Sequence, residues 1–131
     1  MDYVQLIFLL GRLILGVYFL RAAKSHLLNS QMLSGYAGSK GVPFPWLATI
    51  GTGLLLFVGG VGIILGVYVI WALLALVVFL VPVTLQMHAY WKISDPNMKM
   101  MESINFWKNL ALLGAVLTLM SLPTPWPNSL F

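Results

Sequence analysis

A chain of 131 residues with 60% hydrophobic and only 8% charged side chains lies far from a water-soluble domain, in which about a quarter of residues are charged. With a mean hydropathy of +0.95 it reads as an integral membrane protein of a single domain, residues 1–131. The absence of cysteine removes disulfides, iron–sulfur clusters and thiolate-bound zinc. The net charge of +4, with so little soluble surface, points to topology and anionic-lipid contact and excludes a nucleic-acid partner.

Four apolar segments, each near the ~20 residues that cross a hydrocarbon core, are expected to be helices over 3–23, 46–65, 67–88 and 104–122. Together they predict an all-α, four-helix transmembrane bundle. The start, Met1-Asp2-Tyr3, has no basic stretch, and Arg12 interrupts what would be the apolar core of a leader; the first segment is expected to be a span.

Within that first span Arg12 is the anomaly. An arginine at mid-span costs roughly 2.5–3.5 kcal/mol on translocon scales. At 100° per residue its face includes Gln5, Phe8, Gly16, Phe19, Ala23 and His26. No span contains Asp or Glu, so its partners must be carbonyls, Gln5, water, a ligand or lipid acceptor, or another subunit. Arg21, on the opposite side and near the helix end, can snorkel to headgroups.

The stretch NSQMLSGYAGSKGVPFP reads as a polar loop, with Pro43 and Pro45 stiffening the entry to the second helix. That helix is rich in glycine. Gly51, Gly59, Gly62 and Gly66 lie on one side and Gly53 and Gly60 on the other, which predicts close packing on two faces. A turn near Gly66 makes the second and third helices a tight hairpin. Pro82 lies inside the third helix, and His88 ends it, either as a hydrated interfacial group or as a proton-exchanging contact to a ligand. Asp95-Pro96-Asn97 is a turn signal, and the Met-rich stretch through Ser103 reads as an amphipathic extension of the fourth helix. Glu102, Asn105, Lys108 and Asn109 share one side of it. Lys108 there is either a snorkelling lysine or a group facing the bundle.

Arg21, Lys24, Lys40, Lys92, Lys99 and Lys108 all fall in or beside the two long connections, and none in the termini or the tight turn. The positive-inside rule then places both termini outside the cytoplasm. Trp46, Trp71, Trp91, Trp107 and Trp126 read as interfacial anchors. LGVYFL at 15–20 and LGVYVI at 65–70 are alike but stand in different registers, so no repeat is inferred. His26 and His88, with Asp95 and Glu102, lack the spacing of a metal site, so no metal or haem is expected.

Arg12 within RLILGVYFLRAAKSHL, the GVPFP before a Gly-rich helix, His88, and NFWKNLALLGAVL at 105–117 together resemble the DoxX family. The resemblance implies a four-helix bundle in the prokaryotic inner membrane. It also implies association with quinone-linked enzymes, a terminal quinol oxidase and a thiosulfate:quinone oxidoreductase. Arg12, Lys24, His88, Lys108 and Asn109 match the family's recurrent polar positions, with no catalytic role attached to them.

The leading expectation is therefore a non-catalytic accessory subunit of a quinone-linked redox system. Arg12, Lys108 and Asn109 would bond a quinone carbonyl and His88 would exchange a proton, on the cytoplasmic half of the bundle, walled by Phe8, Phe19 and Phe106. One alternative is a protein that binds or transports a small anion or lipid headgroup. Another is a purely structural subunit, associating with itself or other membrane subunits, whose Arg12 pairs with a partner's acid. The pocket reading requires Arg12 to face the bundle interior within reach of a polar group on the fourth helix.

Overall fold

In a bilayer the backbone must satisfy its own hydrogen bonds, and helices do so within one segment. The computed structural model describes residues 1–130 and consists of helices: α1 (Tyr3–Leu28), α2 (Ser30–Ser39), α3 (Pro45–Leu65), α4 (Val69–Met87) and α5 (Pro96–Met120), with a short 3-10 turn at Tyr90–Lys92. α1, α3, α4 and α5 are each long and apolar enough to cross a membrane. α1 packs on α3, α3 on α4 and α4 on α5, whereas α1 and α5 share no extended interface. Phe19, Leu56, Ile63, Leu73, Leu76, Leu80 and Val116 form the core. Ile7, Ile14, Val58, Val78 and Leu117 face outward, the arrangement expected of a surface bathed in lipid.

Local chemistry sets several ends. The Asp2 carboxylate accepts from the Gln5 amide at 2.8 Å and starts α1. Asp95 does the same for Met98 at 3.0 Å, with Pro96 at the first turn of α5. The Asp-Pro pair is therefore a helix start, not the free turn expected from it; a capping acid before proline is the ordinary opening of a helix. The stretch expected as a polar loop likewise contains α2. Its two glycines disfavour helix, but Ala37 is buried and the helix lies against α3. Gln86 Nε2 donates to the Lys40 carbonyl at 2.7 Å and fastens its end to α4.

The glycines of α3 serve both faces. A Cβ on Gly59 or Gly62 would overlap Leu76 or Ala72 of α4, and one on Gly60 would meet Leu20 and the Gly16 carbonyl of α1. Gly51 has open space around it and takes no part. Gly66, at φ 72°, turns the chain between α3 and α4 in a conformation only glycine adopts without strain.

That turn leaves the last four carbonyls of α3 without partners inside the helix, a deficit of several kcal/mol each in lipid. All four are met. Gly62 accepts from the amides of Gly66 and Val67 (2.8 and 3.2 Å), and Leu65 accepts from Leu130 of the C-terminal tail at 2.8 Å. Arg12 supplies the other two: Nε donates to Ile63 at 3.0 Å and Nη2 to Ile64 at 2.8 Å. Its Nη1 donates to the Pro127 carbonyl at 2.6 Å. The guanidinium lies 5.7 Å from the Phe8 ring centre and 5.6 Å from that of Trp126, within cation–π range. Its positive charge also sits at the negative end of the α3 dipole.

Arg12 thus faces the interior as expected, but not toward the fourth span. Its partners are the end of α3 and the tail, in the half of the bundle that holds the tight turn. Of the partners open to it, carbonyls of its own chain are the ones used. Trp126 is no interfacial anchor either; it is 2% exposed and meets Phe8 edge to face at 5.2 Å. The other four tryptophans are at least half exposed, as a belt requires.

Charge-assisted hydrogen bonds contribute about 1.5–3 kcal/mol each. Arg12→Leu is therefore expected to lower unfolding stability in detergent by on the order of 3–5 kcal/mol. Deleting residues 126–131 should destabilise the same end. Because both changes break the Arg12–tail contact, their combined effect should fall short of the sum; full additivity would show that the tail and Arg12 act independently.

Candidate functional site

At the opposite end the four spans and α2 line a cavity of about 260 Å³. α1 contributes Tyr18, Phe19, Ala22 and His26, and α2 contributes Leu33, Tyr36 and Ala37. Thr49 and Thr52 come from α3, Phe79, Leu80 and Val83 from α4, and Lys108, Asn109 and Leu112 from α5, with His88 just past α4. The walls are mainly apolar, with polar groups gathered toward the loop end. α1 and α5, which share no extended interface, both contribute to the cavity wall.

Glu102 organises that polar end. It is 7% exposed, one helical repeat before Asn109. Its Oε1 accepts from the Tyr36 hydroxyl at 2.5 Å and its Oε2 meets His88 Nδ1 at 2.5 Å. Lys40 Nζ lies 4.0 Å from Oε1. One carboxylate therefore ties α2, the end of α4 and α5 together, and it fixes the ring of His88. Burial, then the hydrogen bond to Glu102 and its charge, pushes the Tyr36 hydroxyl up to about 12 from its ordinary 10.0. Tyr36 thus remains a donor, and its stabilisation of α2 is complete below pH 10 and fades as the pH rises through about 12.

His26 is held comparably. Its Nδ1 lies 3.0 Å from Thr52 Oγ1 and 3.4 Å from the Thr49 carbonyl, and its ring meets Phe79 edge to face at 5.7 Å. Asn109 is 6% exposed, and its amide has no hydrogen-bond partner among the described residues although it lines the cavity. Lys108, more exposed, likewise lines it without an ion-pair partner among them.

The five residues expected at a site are thus divided. His88, Lys108 and Asn109 come together on one cavity. Arg12 does not line it, because its side chain closes the far end of α3. Lys24 is exposed and stands apart from it. Of the three expected wall residues only Phe19 lines it; Phe8 packs with Trp126, and Phe106 with Tyr90, Trp91 and Trp107.

Tyr36, Thr52, His26 and Glu102 are additions from the tertiary structure. The sequence sets His26 only on the Arg12 face of its helix and Glu102 only on a polar helix side. The wheel already set Glu102 on the same side as Asn109, and that was the one available signal. Among the described residues no cluster of three metal-ligating side chains occurs.

Glu102→Gln keeps the shape of the side chain and cannot accept from Tyr36 and His88 as a carboxylate does. Amide exchange across residues 30–40 is expected to rise roughly tenfold in this variant while α1 is unchanged. Unaltered exchange would mean that α2 is held by its contact with α3 alone.

No curated protein and no solved structure matches this chain. A family model does: the DoxX model matches residues 7–89, from α1 to just past α4. That segment includes Arg12, His26 and His88 and stops before the α5 residues of the cavity. A multi-pass bundle whose first four-helix segment fits this family over most of its length establishes the chain as a member of the DoxX family.

Proposed function

We propose that the chain is an accessory subunit of a quinone-linked redox system in a prokaryotic inner membrane, and that the cavity beneath α2 receives the quinone ring. The observation that carries this is His88. Glu102 holds its Nδ1 and leaves its Nε2 without a partner, on an apolar cavity that also holds the unpartnered amide of Asn109. Two polar groups left accessible to one mainly apolar cavity suit a flat, largely apolar ligand bearing oxygen at its edge. A volume of about 260 Å³ is just under the about 300–1,000 Å³ of sites that enclose a drug-sized ligand, so a ring would sit inside and its tail would leave between α1 and α5.

The anion reading is weaker on this geometry. The three nitrogens of the Arg12 guanidinium are occupied by backbone carbonyls, and the carboxylate of Glu102 stands directly behind His88. The partner-subunit reading loses the same arginine. In this proposal the chain binds and orients the ring and exchanges its proton at His88, while electron transfer belongs to a companion subunit.

Calorimetric titration of the purified protein with a short-chain para-quinone should show saturable binding. Asn109→Leu should weaken it about three- to tenfold, the effect of one lost hydrogen bond. No saturable binding of either this quinone or its quinol to a folded sample would sink the proposal. The orientation is tested separately. The chain lacks cysteine, so Lys99→Cys in cells should react only with a membrane-permeant thiol reagent; labelling by an impermeant one would reverse the topology.

A further inference from the structure

We infer that the cavity selects the reduced, hydroxyl-bearing form of its ligand, a quinol, through two acceptor nitrogens: Nε2 of His26 and Nε2 of His88. This rests on the reading of the cavity as a quinone site and adds which redox form it holds.

The argument follows from hydrogen-bond inventory. A neutral imidazole has one N–H and one acceptor nitrogen, and the partner of one ring atom decides the role of the other. Near His26, Thr52 Oγ1 donates its single proton to a backbone carbonyl, with Ala48 at 2.7 Å and Thr49 at 3.1 Å as acceptors. That hydroxyl can only accept from His26, and so can the Thr49 carbonyl at 3.4 Å. Nδ1 therefore carries the proton, and Nε2 is the acceptor.

His88 arrives at the same tautomer by a different route. Its Nδ1 meets Oε2 of Glu102, whose other oxygen already accepts from Tyr36. An ionised carboxylate has no proton to give, so Nδ1 again donates and Nε2 is again the acceptor. Neither Nε2 has a partner among the described residues, and both rings line the cavity, one from α1 and one from the end of α4.

Two acceptors on different walls ask for a ligand with two donors. A quinol presents an O–H at each end of the ring. A quinone presents carbonyl lone pairs there, against the lone pairs of the histidines. Asn109, which also lines the cavity, carries both a donor and an acceptor and accommodates either form.

The test compares a short-chain para-quinone with its dithionite-reduced quinol, each titrated at pH 8 into the full-length protein in phosphatidylcholine nanodiscs. That pH is above the ordinary imidazole range, and the lipid headgroup has no hydroxyl to compete. The quinol is expected to bind at least tenfold more tightly. His26→Phe and His88→Gln should each reduce that preference about three- to tenfold, with circular dichroism confirming that the variants fold. Equal affinities, or tighter quinone binding, would overturn the selectivity and leave the cavity's assignment standing. Binding of neither form would overturn both. A preference that both variants retain would also refute the role of the two nitrogens.

Discussion

The end of α3 is the constraint on which the rest of the bundle depends. A helix that turns back inside a bilayer exposes carbonyls where water is scarce, and a short turn through Gly66 can satisfy only part of that deficit. Arg12 and the C-terminal tail complete it from two different parts of the chain. The charge that seemed expensive in the middle of α1 is therefore structural: it is surrounded by carbonyls, two aromatic faces and the negative end of a helix dipole. Closing this end requires α1 to lie directly on α3, and the glycines at positions 16 and 60 bring the two backbones close enough.

A closed end at one side of the membrane gives the other end its character. α1 and α5 share no extended interface, and the tail, with Trp126 against Phe8, occupies the space near Arg12. Nearer the loops α1 and α5 both line the cavity. α2 covers that cavity, and Glu102 fastens α2 to the α5 side through Tyr36. One polar cluster thus seals the bundle and another lines its cavity, each built around a single buried ionisable side chain. Arg12 binds backbone carbonyls that would otherwise be orphaned. Glu102 instead orients a side chain whose second nitrogen has no partner among the described residues, and that difference separates a closed structural cluster from a candidate site.

Much of this organisation was legible in the residues alone. Composition determined the membrane environment, the apolar runs the four spans, and the two-sided glycines of α3 the packing of α1 and α4 against it. The inward direction of Arg12 followed from the aromatic and small residues on its helical face. The sequence also contains the capping pair Asp95-Pro96 and the shared side of Glu102 and Asn109. α2 was not legible, because its glycines and serines argue against helix and only burial of Ala37 and its contact with α3 favour it.

The identity of Arg12's partners belongs to tertiary structure. Backbone carbonyls are the same for every residue, so no pattern of side chains announces that Ile63, Ile64 and Pro127 will offer them. The convergence of His26 and His88 is likewise invisible to spacing, since they lie on different helices and approach only through the packing of α1, α3 and α4. What the sequence determined by itself is where the chain can exist and which segments cross, because hydrophobicity acts locally along the chain. What only the tertiary structure decided is which polar groups meet. A buried charge finds whatever acceptor the fold brings near, and here that moved Arg12 from the centre of a ligand site to the closure of a helix.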